Sequence, residues 1–390
     1  MTSACPLCAT PLPTAFVLRS RSPAMQNALS SSQAQARNTA CGTLAFACCT
    51  GCGFVTNTAF DPALTAYDQH YENSQHHSPA FSTYLDGLVQ RMAANAARPV
   101  HVVEVGCGKG VFITRLIAHL GQGASGTGFD PAHEGPPLSE DRRIEFIRRF
   151  YDASAAATRA DIVVCRHVIE HVADPLAMLR SVHAAVAANP QARIFFETPC
   201  ADWILERGVA WDFFYEHCSL FTRQSLTFAF ASAGFAVQAV EHIFGGQYLL
   251  LEATPLGCVS RVPAPGRTPA LARHFATSSM AQQAVWTDIL NTQRERGPVA
   301  VWGAGAKGVT LLNLLDPDAR HVVAVVDINP RKQRRFIPGT GHPCISPMEL
   351  RSYGIRTVLV TNPNYLDEIQ TALDSAAPGC QTINLMEHNE

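Results

Sequence analysis

With 390 residues, 47% of them hydrophobic, the chain is too long for one ordinary core and rich enough to fill two or three. A formal charge of −2 excludes the basic footprint of a protein that tracks phosphates, so nucleic acid is not expected as a partner. The start, MTSACPLCATPLP, lacks the basic and apolar regions of a secretory signal, and no apolar run reaches the roughly 18 residues that span a bilayer. The expectation is a soluble, cytoplasmic protein without a membrane partner.

Six of the thirteen cysteines lie within the first 52 residues. Cys5-x-x-Cys8 and Cys49-x-x-Cys52 are knuckle pairs, each able to supply half of a tetrahedral thiolate shell, with Cys41 and Cys48 near enough to substitute. Four thiolates leave no open position, so a structural Zn2+ is expected in a module over residues 1–60. The polar stretch from Ser20 to Ala40 reads as an extended loop within it.

From Tyr67 an aromatic-rich segment reads as helical and leads into strands at Val100–Val105, Gly126–Phe129, Ile144–Phe146, Ile162–Cys165 and Ile194–Glu197, separated by helical patterns. Such alternation predicts a doubly wound parallel sheet over residues 61–256, closed by an antiparallel pair in FAVQAVEHIF and QYLLLEATP. Residues 257–296 read as a Pro-rich linker and a connecting helix, and residues 297–390 as a smaller Rossmann-like domain with four strands. The fold class is α/β.

Two glycine turns end apolar strands. In the first, EVGCGKG, the glycines Gly106, Gly108 and Gly110 are spaced by two, unlike a dinucleotide fingerprint. That spacing suits S-adenosylmethionine, with Cys107 in the turn, Glu104 reaching the ligand's ammonium group or holding the turn, Asp130 at the ribose hydroxyls and Asp152 at the adenine. Arg166 and His167 end the fourth strand, where open α/β sheets bind ligands. Glu170 and His171 are expected to face solvent or cap the next helix.

The second turn, GAGAKG, has Gly303, Gly305 and Gly308 with Asp327 beyond, so an NAD-dependent or nucleotide-binding protein is one reading. Only about ninety residues follow Val299, short of the roughly six strands of a full dinucleotide site. Gly305 and Lys307, with Arg331, Lys332, Arg334 and Arg335, are expected to meet a substrate diphosphate or, for the glycines, simply to pack.

Together the cysteine pairs ending in CTGCGFVTN, then EVGCGKG, FYEHCSLFT, GAGAKG and FIPGTGHP, resemble a three-domain family of class I methyltransferases. That family joins a zinc-binding module, an S-adenosylmethionine-dependent core and a C-terminal domain, and its best-known members are sugar C-methyltransferases acting on nucleotide-linked ketosugars. In WDFFYEHCSLFT, Glu216 and His217 sit among aromatics, a setting that suits abstraction of an α-proton. The resemblance assigns the base to this pair and implies an active-site tyrosine at Tyr71 or a neighbour, while Tyr215 is a candidate substrate contact. Trp203, Trp211, Phe213 and Phe214 read as core or pocket wall. CRHVIEHV and GGQYLLLE depart from the sugar enzymes, so a small-molecule O- or N-methyltransferase is the alternative.

Overall fold

The computed structural model describes residues 3–65, 67, 71–96, 99–152, 154–155, 159–257 and 261–388. At the N-terminus, β1 (Val17–Pro23), β2 (Cys41–Cys48) and β3 (Val55–Asn57) form an antiparallel sheet, with a short helix α1 (Gln33–Arg37) between the first two. The expected loop at Ser20–Ala40 is therefore half structured. β1 alternates polar residues because only part of one face is buried, and Ser32 caps α1 by accepting from the Gln35 N–H. A fourth strand, β9 (Ser219–Leu220), comes from the middle of the chain and pairs Val55 with Leu220, so the cysteine module and the core share one sheet.

The helix expected from Tyr67 begins only at α2 (Pro79–Ala93), capped by Ser78. Pro79 disfavours helix at the residue before it, and residues 71–78 run without helix; Asp68–His70 lie outside the described residues. Then follow β4 (Val100–Val105), α3 (Val111–Leu120), β5 (Ala124–Phe129), β6 (Ile144–Ile147), β7 (Ile162–Arg166), α4 (Pro175–Val186), β8 (Arg193–Pro199), α5 (Ala201–Glu206), α6 (Arg223–Ser232), β10 (Ala236–Ile243) and β11 (Tyr248–Thr254). The sheet order is β10-β11-β8-β7-β4-β5-β6, with only β11 running against the others, antiparallel to both β8 and β10. The order reverses beside β4, which opens a crevice at the carboxyl ends of β4 and β7. Apolar residues of α2 and α3 cover one face, and those of α4 and α6 the other.

The connecting helix α7 (Thr268–Arg296) leads into β12 (Val299–Trp302), α8 (Ala306–Leu315), β13 (Val322–Val326), β14 (Cys344–Ile345), β15 (Thr357–Val360), α9 (Leu366–Ala376) and β16 (Gln381–Asn384). All five strands are parallel, in the order β14-β13-β12-β15-β16. Four were expected; β14, two residues long, has no periodicity to betray it. Val17, Leu44 and Phe46 of the first sheet share one core with Trp211, Trp286, Val301 and Leu312, so the N-terminal module is packed against the C-terminal domain. Among the described residues no helix is long and apolar enough to cross a membrane.

Candidate active site

The first glycine turn takes left-handed backbone at Gly106, Gly108 and Gly110 (φ 71°, 53° and 77°). A β carbon at Gly106 would meet Val168 at 2.2 Å and one at Gly110 would meet Phe146 at 2.5 Å, so those two glycines permit packing. At Gly108 nothing stands within 4 Å, leaving backbone open to a ligand. Asp130 Oδ2 accepts the Gly108 N–H at 2.8 Å and Oδ1 that of Ala132, so this carboxylate shapes the turn at the end of β5.

Glu104 is buried and accepts the Ile113 N–H at 3.1 Å. Gly110 has no side chain to cap α3, and Glu104 does so from the neighbouring strand. Burial pushes its carboxyl up to about 8. The Cys107 thiol packs against Gly128. Asp152 stands exposed in the loop after β6, bound to Arg149 and Ser154. The residue beside the turn is one the sequence did not single out: His133 stacks on Phe146 at 4.2 Å, its Nδ1 2.9 Å from the Gly108 carbonyl.

At the end of β7, Arg166 Nε donates to Glu197 Oε2 at 2.6 Å, and its guanidinium lies 4.6 Å from the Phe112 ring. His167, at φ 53°, places Nε2 2.9 Å from Glu197 Oε1 and Nδ1 3.2 Å from Glu170 Oε1. Burial alone would push this imidazole down, but the two carboxylates outweigh it and hold it up at about 9. Tyr84 donates to Glu197 as well, at 2.7 Å. The expectation that Glu170 and His171 face solvent is wrong. Glu170 is fully buried and accepts from Thr198, and His171 lines a cleft with Nδ1 2.8 Å from the Tyr67 hydroxyl.

This cleft, about 270 Å³, opens where the carboxyl ends of β7 and β8 face those of β12, β13 and β15. His217 forms part of its wall, its ring 4.7 Å from that of His171 and 4.0 Å from that of Phe214, with Nε2 4.0 Å from Glu170 Oε1. Burial, reinforced by His171 and His167, holds His217 well below the ordinary imidazole range, so the ring is neutral at physiological pH. Glu216 is fully buried behind the wall. Its Oε2 accepts from the Tyr71 hydroxyl at 2.5 Å and its Oε1 from the Gln26 N–H. Burial pushes Glu216 up to about 7 and Tyr71 well above the phenol range. The geometry thus brings Tyr71, Glu216 and His217 together.

Tyr215 is the exception in that segment. Its ring fills the space above Gly42 and its hydroxyl accepts from the Asp61 N–H at 2.7 Å, so it seals the first sheet against the core, and the substrate contact expected of it is withdrawn. In the second turn, Gly303 (φ 98°) is open, while a β carbon at Gly308 would sit 2.0 Å from the Gly303 carbonyl oxygen; that glycine packs helix on strand. Asp327 Oδ2 accepts the Ala304 N–H at 2.8 Å, repeating what Asp130 does in the first turn. Gly305 and Lys307 line the cleft, but Lys307 is paired with Asp212. Lys332 lines it too, buried, donating to the Ala304 carbonyl at 3.0 Å and to Asn27 Oδ1 at 3.4 Å.

Cys5, Cys8, Cys49 and Cys52 bring their sulfurs together, Cys5 to Cys52 at 3.7 Å and Cys8 to Cys49 at 3.4 Å. Sulfurs about 2.3 Å from a zinc ion in a tetrahedron stand roughly 3.8 Å apart, so the cluster has the dimensions of such a shell. Cys41 and Cys48 are not in it.

Residues 75–240 match a methyltransferase domain family and residues 267–383 a C-methyltransferase C-terminal domain family. The chain is 27% identical over 288 residues to the C-methyltransferase NovU of Streptomyces niveus, covering 69% of this chain and 67% of that one. It is 34% identical over 107 residues to a ubiquinone biosynthesis O-methyltransferase of Vibrio parahaemolyticus, covering 25% of this chain and 43% of that protein's length. Among solved structures, an O-methyltransferase family protein from Burkholderia thailandensis aligns with a TM-score of 0.36 and 18% identity, over 46% of this chain and 57% of that one.

Proposed function

We propose that this chain, an S-adenosylmethionine-dependent methyltransferase, forms a carbon–methyl bond on a ketosugar carried by a nucleoside diphosphate. The observation that carries the reading is one cleft with a neutral imidazole and a tyrosine backed by a buried glutamate on one wall, and an open glycine turn with a buried lysine on the other. The C-methyltransferase match over residues 267–383 and the likeness to NovU support it.

Residues 106–110 would hold the cofactor, with Gly108 giving the close backbone approach, and the bound cofactor supplies an electrophilic methyl group on a sulfonium. His217 takes the proton from the carbon beside the ketone. The electron pair left on that carbon would form the new bond to the methyl carbon as the methyl–sulfur bond breaks, that bond's electron pair staying on the sulfur and cancelling its charge. Tyr71, its one hydrogen given to Glu216, lines the cleft beside His217 and fixes where the ketone carbon lies against the imidazole. Gly303, Gly305 and Lys332 would receive the diphosphate, near the N-terminus of α8. Cys5, Cys8, Cys49 and Cys52 would hold a structural zinc ion.

Incubating the protein with a nucleoside-diphosphate ketosugar and S-adenosylhomocysteine in heavy water tests the reading. Exchange of the α-proton that is lost in His217→Asn is the expected result; no exchange in an enzyme that still methylates that acceptor would shift the reading to an oxygen or nitrogen nucleophile. The likeness of the core to an O-methyltransferase keeps that second reading in view.

A further inference from the structure

We propose that the N-terminal cysteine module contributes a positioning residue to the reaction: Asn27 sets the Tyr71–Glu216 pair and ties it to Lys332 of the C-terminal domain. The proposal rests on the methyl-transfer reading above. Four parts of the chain meet here, and each contact crosses between them.

The loop from Ala24 to Ser30 leaves β1 and dives into the cleft. Ser30 and Phe336 exchange two main-chain hydrogen bonds, of 3.0 and 2.9 Å, which clamp the loop to the C-terminal domain. Its middle is enclosed, with Gln26 fully buried and Asn27 nearly so. The Gln26 N–H points at Glu216, while the Asn27 carbonyl accepts the Glu72 N–H at 3.0 Å and so fixes the residue next to Tyr71.

The Asn27 carboxamide spans the gap between two groups of opposite demand. Its Nδ2 donates to the Tyr71 hydroxyl oxygen at 3.4 Å, and its Oδ1 accepts from Lys332 Nζ at the same distance. The orientation is dictated, because a flipped amide would set N–H groups against the ammonium. With one hydrogen from Asn27 on its oxygen, Tyr71 turns its own hydrogen toward Glu216. A buried amide satisfied at both ends is stiff, and leaving either end unmet is costly. No carboxylate pairs with Lys332 among the described ion pairs, so the carboxamide delivers the lysine's charge toward Tyr71 and Glu216.

Glu216 faces Tyr67 and Tyr71 from the entry segment, Gln26 and Asn27 from the cysteine module, Lys332 from the C-terminal domain, and His171 beside its own main chain. The test uses the full-length, zinc-loaded protein and follows the infrared band of the protonated Glu216 carboxyl, identified by its loss in Glu216→Gln, as pH rises. This readout needs no methyl acceptor. In Asn27→Ala and in Lys332→Met the midpoint should rise by roughly half a pH unit or more, while affinity for S-adenosylhomocysteine stays within two-fold. An unmoved midpoint in both variants overturns the proposal. With the ketosugar substrate, Asn27→Ala should lose roughly ten-fold in kcat with KM nearly kept. If the midpoint shifts but no ketosugar is methylated even by the parent protein, the positioning role of Asn27 survives and the substrate reading fails. Lys332→Met serves alone if Asn27→Ala does not fold.

Discussion

The ammonium of Lys307 is held 2.5 Å from the carboxylate of Asp212, with Trp203 beneath it. The cation that the sequence placed in the second glycine turn for a diphosphate is thus neutralised by the methyltransferase core. Both partners are mostly buried, so removing only one leaves a charge with no counterpart. Lys307→Met should lower stability by about 3 kcal/mol, and adding Asp212→Asn should recover most of it. Chemical denaturation of the two variants decides this. A single variant as stable as the parent, with a raised KM for the nucleotide-linked substrate, would return Lys307 to substrate binding.

Glu216 carries a second consequence. Burial raises its carboxyl from 4.5 to about 7, so the folded state prefers the proton. Below pH 4.5 both states are protonated and nothing is lost. As pH rises through that value the unfolded chain ionises first, stability falls, and above pH 7 the full cost of about 3 kcal/mol applies. Glu216→Gln should therefore match the parent in thermal stability at about pH 4 and exceed it at about pH 8, while turnover drops by two or more orders of magnitude. Equal melting temperatures at pH 8 would show that the carboxyl is not held in its protonated form.

The architecture was readable because β4, β7 and β8 carry short apolar runs separated by helical patterns, and β4 and β12 end in glycine turns. The cleft was not. Glu170 and His171 sit in a helical-looking phrase, and only the packing of β9 and the 3-10 turn at Ile169–His171 against the sheet end turns them inward. Asn27 lies in a polar, small-residue stretch that reads as loop, and its partners are 44 and 305 residues away. Tyr215 misled in the other direction, since adjacency to Glu216 says nothing about which way a ring points in the turn that precedes β9.

The four clustered thiolates predict a metal dependence that leaves the cofactor turn intact. Among the described residues Cys5, Cys8, Cys49 and Cys52 lie at one end of the first sheet, and β9 ties that sheet to the segment carrying Glu216 and His217. Elemental analysis should find about one zinc per chain. Cys49→Ser, or prolonged chelation, should lower the melting temperature and abolish turnover, with S-adenosylhomocysteine binding reduced far less. Full activity after complete metal removal would separate the cluster from the fold of the active site.

The two aspartates at the ends of β5 and β13 perform the same act, each accepting a turn N–H at 2.8 Å, yet the two turns are expected to differ in ligand. At the first turn Asp130 accepts one N–H from the glycine turn, that of Gly108, and one from its own loop, that of Ala132, while it stays half-buried and the α carbon of Gly108 is open. At the second, Asp327 makes the matching pair of bonds, to Ala304 and Asn329, but is buried, and the sheet behind it has five strands, short of a full dinucleotide site. S-adenosylhomocysteine should therefore raise the melting temperature and NAD should not. Asp130→Ala should abolish the first shift. Asp327→Ala, which frees the Ala304 N–H, should leave the response to S-adenosylhomocysteine in place and weaken binding of the diphosphate substrate. A melting shift with NAD that disappears in Asp327→Ala would instead make the second turn a dinucleotide site.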